Sequence, residues 1–152
     1  MNETFGLWFS GITDGEGCFF IEKQLPSTQQ DYIKYRGQFY IVLRADDLAT
    51  LQYIRKELGF GKLYYKKPRG NSCPQFCFKV TSVEDCYKLI KVFDTYKLRS
   101  KKLKDYEVWK EFITYKYDNF RNKNNLNDYI STLELLYSRL LIVRKFTKER
   151  VD

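Results

Sequence analysis

The sequence predicts a single α+β domain in which helix, hairpin, helix, hairpin and helix follow one another and two further helices close the chain, with antiparallel strands and the helices on one face of the sheet. Three observations predict it. The apolar period switches from 3.6 to two and back, twice, between Phe5 and Phe93. Each period-two pair is joined by a polar loop or turn, as in a hairpin. The 152 residues suffice for one core and are too few for two, and no apolar run marks off a second unit. One domain over 1–152 is therefore expected, with a core at about 3–117 and a helical extension at about 118–152.

Phe5, Trp8, Phe9 and Ile12 fall at i, i+3, i+4 and i+7 and define an amphipathic helix from about Glu3 to Thr13. After Gly17 the period becomes two, with Phe19 and Ile21 on one face of a strand and Phe20, Glu22 and Gln24 on the other. A polar loop from Leu25 to Asp31 leads to a strand from about Lys34 to Arg44. It places Phe39, Ile41 and Leu43 inward and Arg36, Gln38, Tyr40 and Arg44 outward. Asp46 or Asp47 caps a second helix through Leu48, Leu51, Ile54 and Leu58, which Gly59-Phe60-Gly61 ends.

The second hairpin runs from Lys62 to Lys67, turns through Pro68-Arg69-Gly70-Asn71-Ser72, and returns from Gln75 to Thr81. Leu63, Tyr65, Phe76, Phe78 and Val80 face inward, whereas Lys62, Tyr64, Lys66, Gln75, Cys77 and Lys79 face the other way. Ser82 and Asp85 resemble a capping box for a third helix that runs to about Phe93. Lys97 to Lys104 carries five basic residues and no acid, and leads into a helix from about Ser100 to Tyr117 with the stripe Tyr106, Trp109, Phe112 and Ile113. A polar segment from Asn119 to Asn127 precedes a last helix, about Asn127 to Phe146, with Leu133, Leu136, Leu140 and Val143 along it.

Composition narrows the chemistry. A hydrophobic content of 43% with 18% aromatics belongs to a folded chain. The net charge of +8 suits a polyanionic partner, most simply nucleic acid. With no histidine anywhere, Ser-His and Cys-His nucleophilic catalysis are excluded and zinc would need an unusual ligand set. A resident metal would then be a hard one held by carboxylates. Cys18, Cys73, Cys77 and Cys86 lack paired CxxC spacing, and with no basic n-region at the N-terminus they are expected as buried free thiols in a reducing compartment. Apolar runs such as Leu140 to Val143 are too short to span a bilayer, so no membrane partner is expected. Abundant Tyr, Phe, Lys, Ile and Asn match an AT-rich genome.

Where the first helix ends, Asp14-Gly15-Glu16-Gly17 interleaves two acids with two glycines. Helix C-terminal carbonyls already carry partial negative charge, so acids there are unfavourable unless a cation joins them. The glycines permit a sharp turn and a close approach. On these residues alone, a helix stop with solvated acids and a metal site fit equally well. The outward face of the four strands, by contrast, is long, polar, basic and aromatic. Such a ribbon can enter a DNA major groove while Lys and Arg neutralise phosphates, although an ordinary solvated sheet face has a similar composition.

Phe9-Ser-Gly-Ile-Thr-Asp-Gly-Glu-Gly17 resembles, in divergent form, the LAGLIDADG motif of homing endonucleases. The strand that starts Cys18-Phe-Phe-Ile is also similar to that family. So are Arg44-Ala-Asp-Asp-Leu entering a helix closed by Gly59-Phe-Gly61, and Tyr96-Lys-Leu-Arg-Ser-Lys-Lys before an aromatic helix. Four blocks in order over roughly residues 5 to 112 are far more specific than the nine-residue motif alone. No second copy of the motif follows Gly17.

The resemblance implies an αββαββα domain that pairs through its first helix with a second copy, the contact including Trp8, Gly11, Ile12 and Gly15. It implies a homodimer on a roughly palindromic double-stranded DNA target, cut by metal-dependent hydrolysis. Glu16 matches the family's metal-binding acid, the Gly15 carbonyl adds a ligand, and Asp14 takes a structural role. Mg²⁺ is the implied cation. Lys101 matches the lysine before the aromatic helix, with Lys102 one register away, and Arg44 falls where relatives often carry Gln. DNA contacts are expected from Phe20, Glu22 and Gln24, from Arg36, Gln38 and Tyr40, from Lys62, Tyr64 and Lys66, and from Arg69, Gln75 and Lys79. The competing readings are a nucleic-acid-binding protein on the same scaffold without cleavage, with intron RNA as partner, or a structural ribonucleoprotein component. An organellar location is expected, with bacterial and archaeal hosts as alternatives.

Overall fold

The structure is a computed structural model and describes residues 1–119 and 125–145. The elements follow the expected order: α1 (Glu3–Glu16), β1 (Gly17–Gln24), β2 (Lys34–Arg44), a short 3-10 turn (Ala45–Asp47), α2 (Leu48–Leu58), β3 (Lys62–Lys66), β4 (Gln75–Val80), α3 (Val83–Thr95), α4 (Lys102–Asn119) and α5 (Leu126–Arg144). The strands form one antiparallel sheet in the order β1-β2-β4-β3. The end of the last helix expected near Phe146, and most of the loop before it, lie outside the described residues.

Alternation decides which side of the sheet is buried. Phe19 and Ile21 of β1, Phe39 and Ile41 of β2, and Phe78 and Val80 of β4 all point to the helices and are essentially inaccessible. They meet Phe5 and Phe9 of α1, Leu51 and Ile54 of α2, Leu89 and Phe93 of α3, and Tyr106, Trp109, Phe112 and Ile113 of α4. Phe93 packs against Phe9, Phe19, Phe39 and Tyr106 at ring-centroid distances of 5.3, 5.5, 5.7 and 5.6 Å, which makes it the hub of an aromatic core. Leu133, Leu136 and Leu140 of α5 bury against the same body. Tyr65, expected inward, is 54% exposed because β3 is the sheet edge and its far side has nothing beyond it.

Several local expectations are refined. The buried face of α1 is Phe5, Gly6, Phe9, Ser10 and Thr13, so the stripe is rotated from the one the spacing suggested. Trp8 is 40% exposed and Ile12 sits at the margin of the core. Helix α1 also continues through Asp14 and Gly15 to Glu16, three residues past its expected end, and passes straight into β1. Gly15 and Gly17 have no positive φ, so neither is a left-handed hinge. Gly17 is required by proximity, since a Cβ there would meet the Thr13 Cγ2 at 2.6 Å and the Thr13 carbonyl at 2.8 Å. Gly17→Ala should therefore cost about 1–3 kcal/mol, the usual range for an added methyl in a filled site, which thermal unfolding will read as a lower Tm.

Asp47 occupies the N-cap of α2, but its carboxylate takes the Thr50 hydroxyl at 2.5 Å in place of a backbone amide. Ser82 caps α3 as expected, accepting from the Asp85 amide at 3.1 Å, while the Asp85 carboxylate pairs with Lys88 at 2.7 Å. All four cysteines are free; Cys77 and Cys86 are buried, Cys18 is half-buried, and Cys73 is exposed, contrary to expectation, on the segment before β4. Among the described residues no helix is long and apolar enough to cross a membrane.

Candidate nucleic-acid interface and the acidic end of the first helix

None of the described elements covers the face of the sheet away from the helices, and strand register arranges its side chains in rows. Cys18, Tyr40, Lys79 and Lys62 form one row across all four strands, and Arg44, Gln75 and Lys66 form another across three. Glu22 pairs with Arg36, and Phe20 with Gln38. Glu22, Arg36, Gln38, Tyr40, Tyr64, Lys66, Cys77, Lys79 and Thr81 line an open groove of about 500 Å³. Lys66, Arg69 and Gln75 border a second depression, under the β3–β4 turn. The outward residues expected from alternation thus share one surface. Gln24 is at the far end of β1, where the surface curves under the start of α5.

Two of these side chains are less available than their position suggests. Gln38 is only 4% exposed, and its amide donates to the Glu22 carboxylate at 2.8 Å, so it forms groove floor. Burial, and then a hydrogen bond with Cys18, push the Tyr40 phenol up to about 12, which keeps it neutral.

At one end of this face α1 delivers its two acids, and the structure separates them. The Asp14 carboxylate accepts the backbone N–H groups of Arg99 and Ser100 at 2.9 and 3.0 Å, tying the end of α1 to the chain just ahead of α4. Burial alone would raise its pKa, but hydrogen bonds from the Ser100 hydroxyl and both amides, together with the Lys102 charge, hold it below the ordinary 3.8. A depressed carboxylate contributes stability above its unfolded pKa and loses it as the pH falls through the folded value. Asp14→Asn should accordingly lower Tm at neutral pH and flatten the loss of Tm on acidification below about pH 3.8, as read by calorimetry against pH.

Glu16 is different. Its side chain is exposed and forms no hydrogen bond or ion pair among the described residues. It lines a depression of about 580 Å³ shared with Val42, Leu43, Arg44, Asp46, Asp47 and Gln75. Arg44 in this depression pairs with Asp46 at 2.6 Å. Among the described residues no group of three or more His, Cys, Asp or Glu side chains could hold a metal. One chain thus offers the Glu16 carboxylate and nearby main-chain carbonyls, which fit a hard cation only if ligands also come from elsewhere.

Of the two candidate lysines, the structure places Lys102 against the end of α1. Lys102 Nζ donates to the Gly15 carbonyl at 2.8 Å and the Thr13 carbonyl at 3.3 Å, occupying the negative end of α1 as a cation should. Burial lowers its pKa, and the opposing pull of Cys18, Glu16, Asp14 and Asp105 does not fully offset this. Lys101 is exposed in the turn that precedes α4. The helix starts at Lys102 and not near Ser100, and that shift selects the inward register.

No described element covers the opposite side of α1. Leu7 is 59% and Trp8 40% exposed, and a Cβ built on Gly11 or Gly15 would meet nothing within 4 Å.

Fold and site together define a class: an antiparallel sheet with a basic open face, and a helix presenting at its end an exposed carboxylate that has no hydrogen bond or ion pair among the described residues. The chain belongs to the LAGLIDADG endonuclease family, whose model matches residues 9–113. A probable intron-encoded endonuclease, Cox1-I1b of Schizosaccharomyces pombe (strain 972 / ATCC 24843), is 27% identical over 108 residues, covering 71% of this chain and 27% of that protein. The chain thus spans about a quarter of the curated relative. In fold it is similar to the archaeal intron-encoded homing endonuclease I-Vdi141I complexed with DNA (TM-score 0.76, 18% identity, covering 99% of this chain and 91% of that one). It is also similar to the LAGLIDADG homing endonuclease I-SmaMI bound to cleaved DNA (TM-score 0.76, 23% identity, covering 92% of this chain and 45% of that one).

Proposed function

We propose that this protein is a site-specific homing endonuclease that makes a double-strand break by metal-dependent phosphodiester hydrolysis, acting as a homodimer on a long, roughly palindromic DNA target. The observation that carries the reading is Glu16: an exposed carboxylate at the family's motif, with no hydrogen bond or ion pair among the described residues, in a depression shared with Arg44 and Gln75 at the end of the sheet face. Because one chain supplies too few ligands for a cation, the site needs a second copy and the DNA.

Glu16 would hold the cation together with phosphate oxygens, joined by the Gly15 carbonyl once Lys102 moves off it, and Mg²⁺ suits so few carboxylates because it keeps several waters. Bound there, the metal would supply an acidified water and positive charge for the phosphoryl oxygens. Lys102, its ammonium now on the Gly15 carbonyl, would neutralise charge that builds on the phosphate, and its lowered pKa brings it nearer to proton exchange. Arg44 shares the depression with Glu16 and would contact phosphate or water once DNA displaces Asp46. The open sheet face covers one half-site, with Lys62, Lys66, Arg69 and Lys79 toward phosphates and Arg36, Tyr64 and Gln75 toward base edges. An intron-borne gene in an organelle is part of the same proposal.

The test is direct. With Mg²⁺ and a duplex of the exon sequences flanking its intron, the protein should cut both strands. An intact duplex that is nevertheless bound tightly would replace the nuclease by a binding protein on the same scaffold. Lys66→Ala should weaken binding and make the slope of log K against log salt shallower by about 0.9, the counterion released per phosphate contact. An unchanged slope would move that side chain off the backbone.

A further inference from the structure

We propose that Arg144, at the C-terminal end of α5, is a phosphate-contacting residue of the cleavage site, so that the C-terminal helix completes the site as well as buttressing the fold; this rests on the nuclease reading above. Helix α5 buries Leu133, Leu136 and Leu140, Val143 packs at the margin of the same core, and Arg144 beside it is the last residue of the helix. The helix has by then run past the core to β1, and Arg144 Nη2 lies 3.3 Å from the Cys18 Sγ, two residues beyond Glu16.

Cys18 is on the groove face beside Tyr40, and both Glu16 and Cys18 act electrostatically on Lys102. Arg144 acts on Tyr40, and it shares Asp105 with Lys102. Arg144, Lys102 and Glu16 thus converge at the junction of α1 and β1 from three separate elements.

The partners of Arg144 leave most of its donor capacity unused. Among the described residues they are a sulfur, which is a weak acceptor, and the Asp105 carboxylate at 3.9 Å from Nε. Arg139 on the same helix shows the contrast: its guanidinium fork grips both oxygens of Glu111 at 2.6 and 3.1 Å. A guanidinium has five donors arranged as a fork that matches two phosphate oxygens, and the one at 144 is held at the carboxylate end of the groove with that fork open. A cation in the last turn also favours the helix dipole, but Lys145 supplies one at the adjacent position.

The experiment uses the full chain with Arg144→Ala, Arg144→Lys and Asp105→Asn on the cognate duplex. Single-turnover cleavage in Mg²⁺ should fall about 10- to 100-fold for Arg144→Ala, the range for a charge-assisted hydrogen bond. It should be partly restored in Arg144→Lys, and stay within a few-fold of wild type in Asp105→Asn. Binding in Ca²⁺ should show a salt slope shallower by about 0.9 for Arg144→Ala alone. Because that slope needs no cleavage, it tests Arg144 even if wild type proves not to cut. An unchanged slope and rate in Arg144→Ala would overturn the proposal. So would equal losses in Arg144→Ala and Asp105→Asn with a matching drop in Tm, which would make Arg144 an anchor of α5 only.

Discussion

Glu16→Gln is expected to bind its DNA target with wild-type affinity or slightly better and to cut neither strand. The substitution keeps the side-chain shape and removes one negative charge. Glu16 is exposed and bonds to nothing among the described residues, so fold and Tm should not change. The DNA contacts expected to carry affinity lie along the sheet, and losing a negative charge beside a polyanion favours association, which offsets the loss of a ligand to a bridging cation. The metal, by contrast, would lose the one carboxylate each chain brings to it. Since a catalytic cation supplies several kcal/mol of charge stabilisation, the rate should drop by about 10³-fold or more. Gel shift in Ca²⁺ and plasmid cleavage in Mg²⁺ separate the two quantities. Cleavage by Glu16→Gln at more than about a tenth of the wild-type rate would remove Glu16 from the site and with it the main support for the nuclease reading. Asp14→Gln offers the contrast: it should lose stability first, because Asp14 is tied to the Arg99 and Ser100 amides.

That division between neighbouring acids shows how much the sequence could say. Motif and period placed both acids at the end of the first helix, and the groove residues on one face, because both follow from spacing along a single element. Partners distant in sequence did not follow. The tie from Asp14 to Arg99 and Ser100 depends on how the segment before α4 folds back, and the same fold-back chooses Lys102 over Lys101. Gln38 has the right alternation for a DNA contact, yet its amide is taken by Glu22, which only the β1–β2 register could reveal. Tyr65 has the right alternation for the core, yet lies on an edge strand, which depends on strand order. Arg144 could have been noticed as a charge next to the stripe that ends in Leu140 and Val143, but its nearness to Cys18 required the path of α5 back to β1.

Gly11→Leu is expected to act in opposite directions on the single chain and on the assembly. Within one chain nothing requires a glycine at 11 or 15: both are helical, neither has positive φ, and an added Cβ would meet nothing within 4 Å. A glycine in a helix interior costs about 1 kcal/mol relative to a good helix former, so by intrachain logic the substitution should raise the stability of the monomer. In the proposed dimer the same face approaches its symmetry mate, with exposed Leu7 and Trp8 flanking a strip that Gly11 and Gly15 leave free of side chains. A leucine there would hold the helices apart. Overpacking costs about 1–3 kcal/mol per site, and twofold symmetry counts it twice, which raises the dimer Kd by about 30-fold to about 2 × 10⁴-fold. Light scattering should then find monomers that melt no lower than wild-type chains diluted to the monomeric state. Cleavage should be lost because the two Glu16 carboxylates no longer meet. If Gly11→Leu remained dimeric and active, α1 would not be the surface on which two copies join, and the second set of metal ligands would have to come from another face of the molecule.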